Sequence, residues 1–430
     1  MRRWFLVILF LLFLSSSALA AGTAYVAELS GAINPVSAGY IVRALSDAQD
    51  KAELFVLLLD TPGGLASSMD DITRAFLNSH IPVVTYVYPR GARAASAGAF
   101  IMMASHIAAM SPGTHIGAAH PVAIQPIPTG GEKVTMPEEM VHKVTNDAVA
   151  NIRSIANLRG RNAELAEKFV RESISLTETE ALDSNIIDII SSNLSELLDS
   201  LDGKEIDMNG ERVVLSSSDL NIYKRAMNPK EKFLFRVLDP NIAYLLMMLG
   251  ILGIFFELSH PGAMFPGVVG GISLLLALYA FQILPINYAG IFLILFGIVL
   301  FIIDIKVPSY GLLSLGGIVS LLVGSFLLTS GNEEFLRISW RTILPTVIFV
   351  AAFFIFVIAA ALLAQKRRIK TGIKGIIGET GYAVDDFTDG SGKVFVHGEY
   401  WHASSLDPIK KGDEVIVTDV SGMTLTVKPK

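Results

Sequence analysis

Residues 54–64 read LFVLLLDTPGG. The unbroken apolar run Leu54–Leu59 fits a strand buried on both faces, because a strand with one wet face alternates apolar and polar positions. The turn that follows, Asp60-Thr61-Pro62-Gly63-Gly64, sets paired glycines at the strand's carboxyl end. In open α/β sheets that end binds ligands, and glycines there leave backbone N–H groups free to face one. An ordinary strand-to-helix turn has the same composition, so the stretch decides a fold class before it decides a function.

Outward from this strand the pattern repeats. Tyr25–Leu29 reads as a strand, Gly39–Lys51 as a helix with apolar residues three and four apart, Met69–Asn78 as a helix and Val83–Tyr88 as a strand. Such alternation implies a mainly parallel sheet covered on both faces. Helical spacing returns over Pro137–Leu158 and Asn162–Val170, so an α/β domain is expected over 21–201. Turn signals at Asp202-Gly203 and Asn209-Gly210 mark 202–239 as a hairpin and juxtamembrane linker.

The composition is 52% hydrophobic, too apolar for an ordinary soluble enzyme. Five spans are expected at 240–257, 264–284, 287–303, 310–329 and 344–364, each near the ~20 residues that cross a bilayer. Gly250, Gly253, Gly270, Gly271, Gly316, Gly317 and Gly324 would let helices approach closely, and the scarcity of mid-helix polar residues argues for an anchoring bundle over a transporter. Residues 371–430 return to short β-rich runs, for which an OB-fold barrel is the first choice. From residue 373 six Lys/Arg face nine Asp/Glu, which argues against nucleic acid and leaves Tyr400 and Trp401 to the core or a protein contact.

At the amino terminus Arg2 and Arg3 precede the apolar run Trp4–Leu14 and the small-x-small exit Ala18-Leu19-Ala20. This is the pattern of a signal peptide over 1–20, with an uncleaved anchor as its rival. An exported α/β domain and five spans place the barrel in the cytoplasm, and Lys366-Arg367-Arg368 and Lys370 obey the positive-inside rule there. Arg337 and Arg341 in the 330–343 loop are a milder contrary signal. The chain has no cysteine, which excludes disulfides and a thiol nucleophile.

Two further segments bear chemistry. Ala94-Ala95-Ser96-Ala97-Gly98-Ala99 leaves Ser96 uncrowded, at the opening of a helix whose dipole would face its hydroxyl. A helix N-cap explains such a serine equally well. Lys143 on 137–158 could act as a base if Met140, Val141 and Val144 helped to bury it, and is otherwise a surface lysine. His106, His115 and His120 are the next histidines after Ser96 in sequence, but nothing places an acid behind any of them; Asp60 and Asp183 read as structural.

Taken in order, Asp60–Gly64, Tyr86–Gly98 (YVYPRGARAASAG), Ser111–Ala118 (SPGTHIGA), Lys143-Val144-Thr145-Asn146 and Gly398–Ala403 (GEYWHA) resemble the NfeD membrane proteases, relatives of ClpP and the signal peptide peptidase SppA in the crotonase-like superfold. The resemblance covers almost the whole mature chain. It implies a ClpP-like α/β protease domain, a multi-pass membrane region and an OB-fold. It implies Ser96 as nucleophile, Lys143 as general base, Gly64 and Ala97 as oxyanion donors and Gly63 as the residue shaping the turn, with no metal or cofactor. It further implies apolar peptide substrates, a stomatin-like membrane partner, a homodimer through the protease domain and residence in the cytoplasmic membrane. A silent peptide-binding scaffold and an acyl-CoA enzyme of the same superfold are the rival functions.

Overall fold

The structure is a computed structural model and describes residues 22–121, 138–208, 210–259, 262, 264–284, 286–307, 309–329, 336–365 and 375–430. The expected signal peptide and the basic run at 366–370 lie outside them. The chain divides into two compact units, one holding the α/β layers and most of the apolar helices, the other the carboxyl-terminal barrel.

The first unit begins with β1 (Thr23–Ser30), α1 (Pro35–Gln49), β2 (Leu54–Asp60), α2 (Ala66–Leu77) and β3 (Val83–Val87). It continues through β4 (Arg93–Ala95), α3 (Ala97–Ala104), β5 (Ile107–Met110), β6 (His115–Gly117), α4 (Glu138–Leu158) and α5 (Ala163–Arg171). Then come β7 (Ser175–Thr177), α6 (Glu178–Asp183), β8 (Ile189–Ile190), α7 (Leu194–Leu201), β9 (Glu205–Met208), β10 (Glu211–Val214), β11 (Asn221–Arg225) and α8 (Pro229–Val237).

The main sheet has the order β11-β1-β2-β3-β5-β8, with every pair parallel. The β2 run behaves as its unbroken apolarity predicts. Phe55, Leu57 and Leu59 enter one core with Tyr40, Ile41, Ile72 and Phe76, while Leu54, Val56 and Leu58 enter a second with Leu197, Leu198 and Leu201. Period-2 side-chain alternation across two covered faces makes both sets apolar. A small second sheet, β4-β6-β7, is linked to the main one by a bridge between Thr61 and Ala94.

Beyond residue 201 the chain returns to the main sheet, where β11 pairs with β1 from Thr23↔Asn221 to Ala27↔Arg225. This edge strand is largely exposed and carries Lys224 and Arg225, so it lacks the apolar run that marks a buried strand. Its hold is local: Tyr223 lies 4.8 Å from Tyr25, and the Arg225 guanidinium lies over the Tyr40 ring.

Five apolar helices follow: α9 (Pro240–Ser259), α10 (Met264–Ile283), α11 (Tyr288–Lys306), α12 (Leu312–Leu328) and α13 (Trp340–Gln365). Among the described residues α9, α10 and 340–357 of α13 are long and apolar enough to cross a membrane, whereas 288–304 and 312–328 are shorter apolar helices. Close approach occurs where glycines face each other. A Cβ on Gly253 would stand 2.8 Å from Gly270 Cα, and one on Gly324 2.8 Å from the Gly290 carbonyl. Gly271, expected in such a contact, faces open space.

The barrel strands are β12 (Thr380–Ala383), β13 (Ser391–Val396), β14 (Glu399–Ser404), β15 (Glu414–Ser421) and β16 (Thr424–Pro429). They close in the order β12-β13-β14-β16-β15, with β14 and β16 parallel, which is the OB-fold. Strand β14 carries the Tyr400-Trp401 pair. Trp401 packs on the barrel core, while Tyr400 is exposed with its ring 5.0 Å from that of Phe395.

Candidate active site

The end of β2 is joined directly to β4. Thr61 N–H donates to the Arg93 carbonyl at 2.7 Å, and Ala95 N–H donates to the Thr61 carbonyl at 3.1 Å. Asp60 reinforces the junction by accepting from Arg93 N–H at 3.1 Å, the structural role expected of it. These bonds bring the glycine turn against the last residue of the AAS run.

Ser96 sits between β4 and α3 at φ 53°, ψ −114°, a conformation that L side chains rarely adopt. Its N–H donates to the Gly117 carbonyl at 2.9 Å, and its carbonyl accepts from Ala99 N–H at 3.0 Å. Its side chain makes no capping hydrogen bond to α3, so the N-cap explanation fails and the hydroxyl is left for other chemistry. Gly117 stands at φ 134°, and a Cβ there would lie 2.3 Å from the Ile174 carbonyl. The SPGTHIGA motif therefore owes its glycine to the strand that clamps Ser96 from behind.

Gly63 has φ 119°, and a Cβ on it would lie 2.7 Å from Ser96 Cβ and 3.2 Å from Ser96 Oγ. Only glycine lets this turn close over the serine. The pair then divides its roles. Gly63 N–H donates to Thr61 Oγ1 at 3.1 Å, whereas Gly64 N–H has no acceptor among the described residues. Gly64 is held by its flanks, since Ile33 N–H donates to the Gly63 carbonyl and Leu65 N–H to the Ile33 carbonyl, both at 2.9 Å. Ala97 opens α3, where the first N–H groups of any helix lack an internal acceptor.

Lys143 is placed differently. It lies in the second turn of α4 and is exposed, as are Met140, Val141 and Val144 around it. The burial that these neighbours could have given does not occur, because the helix meets the core only from Ala148 onward. No hydrogen bond or ion pair joins Lys143 to Ser96 among the described residues, and residues 122–137 before α4 lie outside them.

The histidines do not replace it. His106 is buried, its Nδ1 accepts from Val83 N–H at 3.2 Å, and burial aided by Arg159 and Arg161 pushes its pKa down to about 3. His115 is exposed, and a ring nitrogen of His120 lies 2.9 Å from the Val170 carbonyl. None is bonded to Ser96.

Composition alone did not point to Arg161. Its Nη1 donates to the carbonyls of Met102, Met103 and Ser105 at the end of α3, and its Nη2 to Asp188 at 2.8 Å. A cation at the carboxyl end of the helix that starts at Ser96 fixes that helix in place.

Comparison with known proteins was made on the whole chain. Residues 23–201 match the N-terminal domain of NfeD1b, residues 241–360 the NfeD integral membrane domain, and residues 373–429 the NfeD-like C-terminal, partner-binding domain. The chain is 38% identical to the membrane-bound protease PH1510 of Pyrococcus horikoshii over 438 residues, covering 99% of this chain and 98% of that one. It is 26% identical to the membrane protein NfeD1b of Bacillus subtilis over 412 residues, covering 92% and 85%. A solved structure of the 1510-N membrane-bound stomatin-specific protease, a lysine-to-alanine variant in complex with a substrate peptide, is 37% identical with a TM-score of 0.46, covering 51% of this chain and 98% of that one.

Proposed function

We propose that this chain, which belongs to the NfeD family of membrane proteins, is a membrane-anchored serine endopeptidase in which Ser96 is the nucleophile and Lys143 the general base. The observation that carries this is the Ser96 elbow: a serine at positive φ, uncapped, roofed by Gly63 and followed at once by Ala97 at the opening of α3. Similarity across the full length to a membrane-bound protease supports it.

In this mechanism neutral Lys143 takes the Ser96 proton as Oγ attacks the scissile carbonyl. The tetrahedral oxyanion is held by the Gly64 and Ala97 N–H groups, Lys143 protonates the leaving amine, and water releases the acyl group. No step calls on a metal or cofactor. An exposed lysine is a poor base at neutral pH, so Lys143 must be desolvated when the site assembles. A substrate, or a second copy in a homodimer through the α/β domain, would cover the first turns of α4.

The substrates are apolar peptide segments, and the partner is a stomatin-like membrane protein bound in part through the barrel. The chain enters the cytoplasmic membrane behind the signal peptide at 1–20. Its α/β domain lies outside, the five helices span the bilayer, and the barrel lies in the cytoplasm.

A second function is favoured by the exposure of Lys143: a catalytically silent scaffold that binds peptides without cutting them. One experiment separates the two. The full chain in detergent is given a library of apolar peptides beside Ser96→Ala and Lys143→Ala. The protease requires cleavage by wild type alone and labelling of Ser96 by a serine-reactive phosphonate. Equal cleavage by Lys143→Ala would remove the dyad, and uncut peptides with every form would leave the scaffold.

A further inference from the structure

A cavity of about 560 Å³ lies where the α/β layers meet the first apolar helices. That is the size of an ordinary ligand site. One wall is the glycine turn itself, since Pro62 and Leu65 flank the Gly63-Gly64 pair and Ile33 is bonded to Gly63 and to Leu65. The opposite wall is Ile242 in the first turn of α9, Ile283 at the end of α10 and Leu284 just beyond it.

Both walls are fixed. Helix α8, which carries Phe235 into the cavity, is capped by Asn228 and pinned through buried Glu231 to Arg43 at 2.9 Å and Arg225 at 3.2 Å. Burial raises the Glu231 pKa, but hydrogen bonds from the Asn228 N–H, Arg225 and Arg43 outweigh it and hold the carboxyl below its usual value. The start of α9 is tied to the start of α13 because Asn241 Oδ1 accepts from Ser339 N–H at 2.8 Å and Thr342 Oγ1 at 2.9 Å. A cavity framed by such bonds is a built feature.

We infer that this cavity seats the apolar stretch of a membrane-embedded substrate as it leaves the bilayer, so that the helical bundle supplies part of the substrate site. The inference rests on the protease function proposed above. Three observations define the occupant. The lining is mostly apolar, so an extended apolar segment fits it. Among the described residues Arg93, Arg236 and Arg337 also line it beside one acidic residue, Asp239, so a segment without lysine or arginine suits it. The far wall consists of the ends of membrane helices, so a chain emerging beside them meets the cavity before it meets Ser96.

The cysteine-free sequence permits a clean test. Ile242→Cys and Leu278→Cys, the latter on the exposed face of α10, are each placed in the full chain carrying Ser96→Ala and reconstituted in phosphatidylcholine vesicles. The probe is a model peptide whose single transmembrane helix is followed by ten apolar residues bearing one cysteine. Under mild oxidation the disulfide yield at Ile242→Cys is expected to exceed that at Leu278→Cys at least tenfold. Equal yields would overturn the inference, and a phospholipid that co-purifies and is not displaced by the peptide would assign the cavity to lipid instead. Wild type is given the same anchored peptide in parallel. Cleavage with equal crosslinking removes the cavity's role alone, whereas an uncut peptide removes the protease function and this inference with it.

Discussion

The two halves of the proposed dyad are built to different standards. Around Ser96 nearly every backbone group is committed: the N–H to Gly117, the preceding strand to Thr61, the roof to Gly63, the far end of α3 to Arg161. Around Lys143 no hydrogen bond or ion pair among the described residues holds the side chain, which is exposed on the second turn of α4. The contrast separates two demands of catalysis. The oxyanion site must be preorganised, because dipoles that reorient during the reaction lose much of their value. The base must lose water to become neutral, which can wait until substrate or a second copy arrives.

This asymmetry predicts that the halves fail differently when altered. Lys143→Ala is expected to lower kcat/KM for an apolar peptide by about 10²–10⁴-fold. It should shift the thermal stability of the full chain by no more than about 0.5 kcal/mol, as for any surface change. Lys143→Arg should not restore activity, because a guanidinium stays charged. A comparable loss of stability and activity would mean that Lys143 is structural and the contrast false. On the other half, Arg161→Met removes the cation that holds three carbonyls and Asp188. Leaving buried carbonyls without this donor costs about 1–3 kcal/mol, so the midpoint of thermal unfolding should fall clearly.

The same division decided what could be read from the chain. The sheet was legible because Leu54–Leu59 can be buried only on both faces, and the barrel because its short apolar runs recur between turns. The turn at Gly63-Gly64 was visible as a turn, but its purpose was not. That depends on Ser96, 33 positions later in sequence, filling the space a Cβ would need. Strand β11 was missed because an exposed edge strand is held by pairing and two aromatic contacts, not by apolar periodicity. Of the two readings open for Lys143 the structure shows the exposed one, because apolar neighbours bring burial only when another element covers them. Arg161 gave no signal because three of its partners are backbone carbonyls, which carry no residue identity, and the fourth, Asp188, is distant in sequence.

A smaller effect probes the roof of the rigid half. Gly63→Ala introduces a Cβ at φ 119° and 2.7 Å from Ser96 Cβ. A strained backbone of this kind costs about 1–3 kcal/mol. Because the atom displaced is the nucleophile's own Cβ, cleavage should fall by more than stability alone explains. Phosphonate labelling of Ser96 measured beside the unfolding midpoint checks this; labelling that falls only in step with unfolded protein would show that the roof does not position the serine.

The smallest effect is a pH dependence that belongs to the rigid half alone. His106 follows the end of α3 and is held neutral, with a pKa near 3 set first by burial and then by Arg159 and Arg161, Asp207 acting in the opposite sense. In the unfolded chain the imidazole titrates near 6.5, so its contribution is full above that pH and is lost as the pH falls toward 3. The slope approaches about 1.4 kcal/mol per pH unit once the unfolded state is fully protonated. His106→Asn keeps an acceptor near Nδ1 for the Val83 N–H but cannot titrate. Between pH 7 and pH 5 wild type should therefore lose about 2 kcal/mol more stability than the variant, read as the difference in unfolding midpoints of the full chain. Equal slopes would mean that acid reaches the Ser96 scaffold through groups other than this buried imidazole.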